Sequence, residues 1–254
     1  MKIFVLVSLL ANIVFANVIF VEPIAGQPVI SRAMLSARAG DTIMLADGRY
    51  QEEVVVANGV VLIAQNIFGA QIIGDGRNPV VRLGINSTIS GLVITRGRNG
   101  VVSSNNGSAI ENCWIHSNQG SGILALNRLP RITNSIISNN LSSGIQATNI
   151  GSTEGELRNL TIAGNRKNGI HIDGDQKIVL KDCIFYRNGN RAVIMSNVDL
   201  LVMENLLIFP VQREFVNHQD FFKRPRFANK FSELSDNSPG RKSASNGRDI
   251  GFNK

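Results

Sequence analysis

The stretch NGIHIDGDQ, residues 168–176, sets His171, Asp173 and Asp175 at alternate positions. In an extended strand, alternate side chains point the same way, so one histidine and two carboxylates share a face. Ile170 and Ile172 then point inward. Arg166 and Lys167 lie in the loop entering this strand, Arg191 in the next equivalent loop and Arg98 in an earlier one. Such a set suits proton removal, with a base to take the proton and positive charge to hold the anion that forms. It is equally the composition of a wet strand face, so what surrounds it decides.

What surrounds it is a repeat. The segments ISGLVITRG, IENCWIHSN, ITNSIISNN, LRNLTIAGN, LKDCIFYRN and MENLLIFPV begin at Ile89, Ile110, Ile132, Leu157, Leu180 and Met203, with spacings of 21, 22, 25, 23 and 23 residues. The third position reads Gly91, Asn112, Asn134, Asn159, Asp182, Asn205. The sixth reads Ile94, Ile115, Ile137, Ile162, Phe185, Ile208, and the ninth Gly97, Asn118, Asn140, Asn165, Asn188. A further strand follows each segment: GVVSSN, GILALN, GIQATN, GIHIDG, AVIMSN. It ends in a fourth column, Asn105, Asn127, Asn149, Gly174, Asn197.

A period near 22 with short β-rich segments implies stacked coils of a solenoid. Each coil bends between strands, and Gly, Asn or Asp takes the left-handed conformation a bend requires. Stacked asparagines hydrogen-bond as a ladder, and the isoleucine column fills the interior. Leucine-rich repeats have a similar period, but their fixed Leu spacing and helical sides are absent. The reading is an all-β, single-stranded parallel solenoid of about seven coils over residues 43–210, rising about 4.8 Å each.

These repeats resemble the right-handed parallel β-helix proteins, which include pectate lyases, over about residues 59–210. The segment SARAGDTIMLADGRYQEEVVV resembles the opening of β-helix polysaccharide lyases of the alginate lyase and chondroitinase B type, where AGDTI follows a short capping helix. That helix falls at about Ile30–Ala37, with Gly40 near its end. The ending SDNSPGRKSASNGRDIG resembles a tail of bacterial surface and secreted β-helix proteins.

The resemblance implies a site on the sheet that contains GIHIDG and its stacked equivalents, with Gln146 before His171 and Ile194 after, and Thr148 and Ser196 beside Asp173. The implied reaction removes the proton next to a uronic acid carboxylate. His171 is then the base and Lys167 or Arg191 the electrostatic partner. Arg166, Gln146, Asp173 and Arg98 are candidates for substrate binding. Asp173 and Asp175 are candidate calcium ligands, though calcium wants more oxygens than they supply. No neighbouring coil adds a second carboxylate to Asp173, which argues against a hydrolase. Two functions stay open: a module that binds acidic polysaccharide or serves as a scaffold, and a lyase or epimerase on such a glycan.

The first residues, MKIFVLVSLLANIVFA, carry Lys2, an apolar run and small residues, and read as a secretory signal ending near Ala16. The run is short for a spanning helix. A secreted, periplasmic or surface location follows, with residues 17–58 as an N-terminal cap and first strands, 59–210 as the parallel β-helix and 211–254 as a C-terminal cap or tail. Without Lys2 the chain has 25 basic and 19 acidic residues, a net charge of +6. That charge suits acidic glycans; a nucleic-acid partner and a membrane span are not expected, and a monomer is. The segment Phe221–Phe231 interleaves basic and aromatic residues and reads as a docking cap. His218 has no pattern to fix its surroundings, and His116 has no acidic neighbour in its column. Trp114 shares an apolar column with Val93, Ile136 and Ile184 that is expected to lie beneath the tail or a loop. Cys113 and Cys183 share a column three coils apart, about 14 Å, beyond the about 7 Å a disulfide spans.

Overall fold

The computed structural model describes residues 16–104, 107–151, 154–210, 225–229, 233–236, 238–240, 242–246 and 248–252. It is a right-handed parallel β-helix. Each coil carries three strands, and every strand pairs in parallel with its equivalents one coil away. The first and second faces merge into a 15-stranded sheet because two long strands, Arg131–Ser138 and Glu154–Ala163, run through both. The third face is a 7-stranded sheet. Complete coils therefore run from Thr42 to Met195, seven in number as expected, with Val18–Val21 before them and Leu201–Glu204 and Leu207–Phe209 after. The first coil is closed by Thr42–Leu45, Gly48–Tyr50 and Val54–Val56.

The interior is a stack of aliphatic columns. Ile89, Ile110, Ile132, Leu157 and Leu180 line the first face, and Ile94, Ile115, Ile137 and Ile162 the second, all fully buried. Each contributes roughly 1.5–3 kcal/mol by leaving water. The glycines that open four of the third-face strands, Gly100, Gly122, Gly144 and Gly169, sit against the second column. A Cβ on Gly122 would lie 2.6 Å from Ile137 Cγ2, and one on Gly144 2.8 Å from Ile162 Cγ2.

The two bends use asparagine differently. At the first bend the third-position residues Gly91, Asn112, Asn134, Asn159, Asp182 and Asn205 are all left-handed, as expected, with φ between 46° and 76°. Their ladder is partial: Asn134 Nδ2 donates to Asn112 Oδ1 at 2.7 Å and Asn205 Nδ2 to Asp182 Oδ1 at 2.9 Å, while Asn159 Oδ1 is buried and unpaired. At the second bend the ninth-position asparagines are not the left-handed residues. That role falls one place earlier, on Arg96, Ser117, Asn139, Gly164 and Arg187. Asn118, Asn140, Asn165 and Asn188 instead form an unbroken inner ladder, side chain to side chain at 2.9, 2.9 and 3.0 Å. Each acceptor oxygen also takes the backbone N–H one coil below. In the fourth column Asn127, Asn149 and Gly174 are left-handed, Asn197 is extended, and Asn105 lies outside the described residues.

The capping helix spans Val29–Ser36, one residue from its expected place. Its first turn has no cap of its own. Glu52 supplies one from the second bend of the first coil, accepting from Ile30 N at 3.0 Å, Ser31 N at 2.9 Å and Ser31 Oγ at 2.7 Å. Asp41 of the AGDTI segment accepts from Asn17 N and Arg38 N, both at 2.8 Å, and these bonds hold its carboxyl below the ordinary carboxylate range. The Tyr50 hydroxyl donates within the buried turn, toward Ala46 O at 2.8 Å and Val21 O at 3.0 Å, and burial pushes its pKa up to about 12. The letters of the opening segment are therefore fastenings of the N-terminal cap.

The C-terminal tail lies along the second face. Ser245 N and Oγ donate to the Asp182 carboxylate at 2.9 and 2.7 Å, and Phe252 N donates to Thr161 Oγ1 at 3.1 Å. Ile250, Leu234 and Ala244 bury against Ile184, Tyr186 and Leu207. Phe252 packs on Phe68, and Phe68 on Trp114, which places the apolar column of Trp114 beneath the tail as expected. Phe227 meets Tyr186 edge-on, whereas Phe221, Lys223, Arg224 and His218 lie outside the described residues, as do residues 1–15. Among the described residues no helix is long and apolar enough to cross a membrane. Cys113 and Cys183 are free and buried, in one column through Ser135 and Leu160.

Candidate functional site

The second bend carries the loops that enter the third face, and two depressions lie along it. The larger, about 710 Å³, is lined by Arg77, Arg98 and Lys167, with Asn99, Gln119, Ser121, Ser142 and Gln146 between them. These residues come from successive coils. Arg77 and Lys167 are four coils apart, so the groove runs about 19 Å along the stack at the usual strand spacing. Among the described residues no acidic side chain lines it. Its floor is fixed by hydrogen bonds: Ser121 Oγ donates to Gln146 Oε1 at 3.0 Å, and Ser121 N to Asn99 Oδ1 at 2.9 Å. Loop-to-loop backbone bonds, such as Lys167 N to Ser142 O at 3.0 Å, hold the bends in register.

Three expected residues, Arg98, Gln146 and Lys167, thus meet in one groove. His171 stands one coil beyond Gln146 on the third face, in the expected register with Ile194. Its Nε2 lies 3.3 Å from Asp173 Oδ1, and Ser196 Oγ donates to the same oxygen at 3.4 Å. Thr148 is not in paired register with Asp173, because the strand pairing shifts between Ala147 and Ile150. Asp175, Arg166 and Arg191 are exposed and do not line the groove. Among the described residues no three carboxylate, histidine or cysteine side chains gather where they could hold a metal.

The smaller depression, about 620 Å³, lies at the N-terminal end of the same bend and is lined by Gln51, Glu52, Glu53, Ile73, Gly74, Asp75, Asn78 and Arg96. Glu53 and Asp75 both line it. Burial, then the neighbouring Asp75, raises the pKa of Glu53; the Arg77 N–H, donating at 2.7 Å, leads the causes that lower that of Asp75. Arg77, Gln119, Glu53 and Asp75 escape a reading of the sequence because they lie outside every repeat column. The one available signal was the arginine at every second position in TRGRN, Arg96 and Arg98.

The fold and this groove define a class. The chain belongs to the family described as right handed beta helix region, whose model matches residues 80–209, just over half of it. Among solved structures it is similar to pectate lyase Pel9A, with a TM-score of 0.62 and 17% identity, covering 78% of this chain and 63% of that one. It spans less than two thirds of that protein's length. The Agl-KA catalytic domain aligns at a TM-score of 0.48 and 16% identity, over 71% of this chain and 42% of that one. The A-module of the Azotobacter vinelandii mannuronan C-5 epimerase AlgE4 aligns at 0.38 and 16%, over 70% and 71%. No curated protein matches in sequence. At these identities the likeness is one of fold.

Proposed function

We propose that this is an exported β-helix protein that holds an acidic polysaccharide along the groove of the second bend. One observation carries the reading: Arg77, Arg98 and Lys167, from three different coils, line a single elongated depression with amide and hydroxyl groups between them and no carboxylate among its described lining residues, the Asp75 that meets Arg77 at 3.9 Å lying outside that lining. A linear polyanion suits a linear array of cations, and guanidinium groups bond carboxylates or sulfates in pairs. The amides of Gln119 and Gln146 suit sugar hydroxyls. Export is supported by the apolar opening of the chain, residues 1–16.

A second reading makes the same groove catalytic, as a lyase or epimerase. It is favoured by the His171–Asp173 contact beside the groove, which orients an imidazole as a base would be oriented, and by the likeness to a pectate lyase fold. The test is a panel of acidic and neutral glycans, measured for binding at low salt and at about 0.5 M, with ultraviolet absorbance recorded for unsaturated uronic products. Binding is expected for acidic glycans alone and is expected to weaken with salt. Equal affinity for neutral glycans, or indifference to salt, overturns the proposal. Absorbance that His171→Ala abolishes, with binding retained, establishes the catalytic reading.

A further inference from the structure

The opening segment AGDTI holds a carboxylate that the groove does not use. Asp41 is 3% exposed, and two backbone amides reach its two oxygens: Asn17 N donates to Oδ1 and Arg38 N to Oδ2, both at 2.8 Å. A carboxylate taken out of water is held more firmly by a cationic donor than by a neutral one. Asn17 is a fixed partner. It stands immediately before the edge strand Val18–Val21, and Thr42 N donates to its carbonyl oxygen at 2.8 Å. The bond on its other side, Ala16–Asn17, joins two exposed residues. That bond also follows Val14 and Ala16, the small residues that close the apolar opening of the chain at the spacing a leader-cleaving protease reads.

The two observations meet at one nitrogen. Hydrolysis of Ala16–Asn17 breaks the peptide C–N bond. The oxygen of water stays on the Ala16 carbonyl, which leaves as a carboxylate, and both protons of that water pass to the Asn17 nitrogen, which becomes an α-ammonium. That nitrogen already lies 2.8 Å from Asp41 Oδ1. We propose that Ala16–Asn17 is the bond at which the leader is removed, and that the new ammonium of Asn17 locks the N-terminal cap by an ion pair with Asp41; this rests on the reading of the chain as exported. One ammonium proton keeps the bond to Asp41 and the other two face water, since Asn17 is exposed. A chain cut one residue earlier carries its amine up to about 3.8 Å further along the backbone and leaves a neutral amide on Asp41. While the leader is attached that amide is equally neutral, so the edge strand and the AGDTI turn are joined less firmly in the precursor than in the exported form. Removal of the leader thus tightens the first coil once the chain has been exported.

The test compares two chains, one running from Asn17 to the end and one from Ala16, each released from a fusion partner by a protease that leaves no added residue. Their net charges are equal. The Asn17 form is expected to melt roughly 3–6 °C higher, the margin of a charge-assisted bond over a neutral one in a domain of this size. Its α-amine should also react with an acylating reagent at neutral pH several times more slowly than that of the Ala16 form. In an Asp41→Asn background both differences should vanish; the comparison of the two ends stands without that variant if it does not fold. Equal melting temperatures, or a difference that survives Asp41→Asn, overturn the ion pair. Separately, the chain with its leader is expressed in an exporting bacterium, and the first residue of the exported product is read by mass spectrometry. Asn17 is the expected first residue. Any other end overturns the assignment of the cleaved bond. If no product leaves the cytoplasm, the export reading itself has failed, and the failures are thereby distinguished.

Discussion

Single asparagines show how much of this chain can be read from its letters. At Asn134 the backbone is left-handed at φ 46°, and the side chain supplies one partly buried rung to Asn112. Replacing it by Ala is expected to cost about 1–2 kcal/mol through the backbone and the lost bond. Gly keeps the backbone at ease and should cost less. Asn140 is different. It is 1% exposed, its Oδ1 takes both Asn118 N and Nδ2, and its Nδ2 donates to Asn165. Asn140→Ala strands two buried donors and is expected to cost about 2–4 kcal/mol, with Gly no better, the reverse of the Asn134 pattern. Thermal melts of the four variants check this. Both asparagine columns stand out in the sequence, but their division of labour does not. The left-handed residue of the second bend is Arg96, Ser117, Asn139, Gly164 or Arg187, a column with no shared chemistry, so only backbone geometry exposes it.

At the scale of elements, register was legible because it rests on period alone. The column of Cys113 and Cys183 follows from it, and burial pushes both thiols up to about 12. Neither is expected to react with a soluble alkylating agent until the solenoid unfolds, and mass spectrometry of unreduced protein should show both thiols free. A Cys113–Cys183 link would break the register. The tail was harder to place. Its bonds to Asp182 and Thr161 cross 63 and 91 residues, and no periodicity announces a contact of that kind. Gly251 marks its tightest point, with φ 92° and room for no Cβ, since one would lie 2.7 Å from both Ile184 Cδ1 and Thr161 Oγ1. Gly251→Ala should therefore lift the tail, lower the melting temperature by several degrees, about 2–4 °C per kcal/mol for a domain of this size, and expose Trp114 to a fluorescence quencher. Unchanged quenching would show that the tail does not cover that face.

At the scale of the whole molecule, the charge that composition reports as an excess of +7 becomes an arrangement. On the first face the charges pair off: Arg131 with Glu111, Arg158 with Glu156 at 2.8 Å and Lys181 with Glu204. Such exposed pairs contribute little stability but leave no net field there. Along the second bend, Arg98 and Lys167 face a groove with no carboxylate among its described lining residues. The sequence placed Arg98, Gln146 and Lys167 near one another because they belong to loops of one stack, and it could not separate them from Arg166 and Arg191, which sit in the same loops and are exposed beyond the groove. The central claim is that the groove, and not the overall basic charge, holds the polysaccharide. The most direct measurement compares the affinity of a fluorescent polygalacturonate oligomer for Arg98→Ala/Lys167→Ala with that for Arg131→Ala/Arg158→Ala, a variant of equal net charge altered on the first face. A loss of about tenfold or more in the groove variant, with the first-face variant within about twofold of the parent, is the predicted result. Equal losses in the two variants would contradict it.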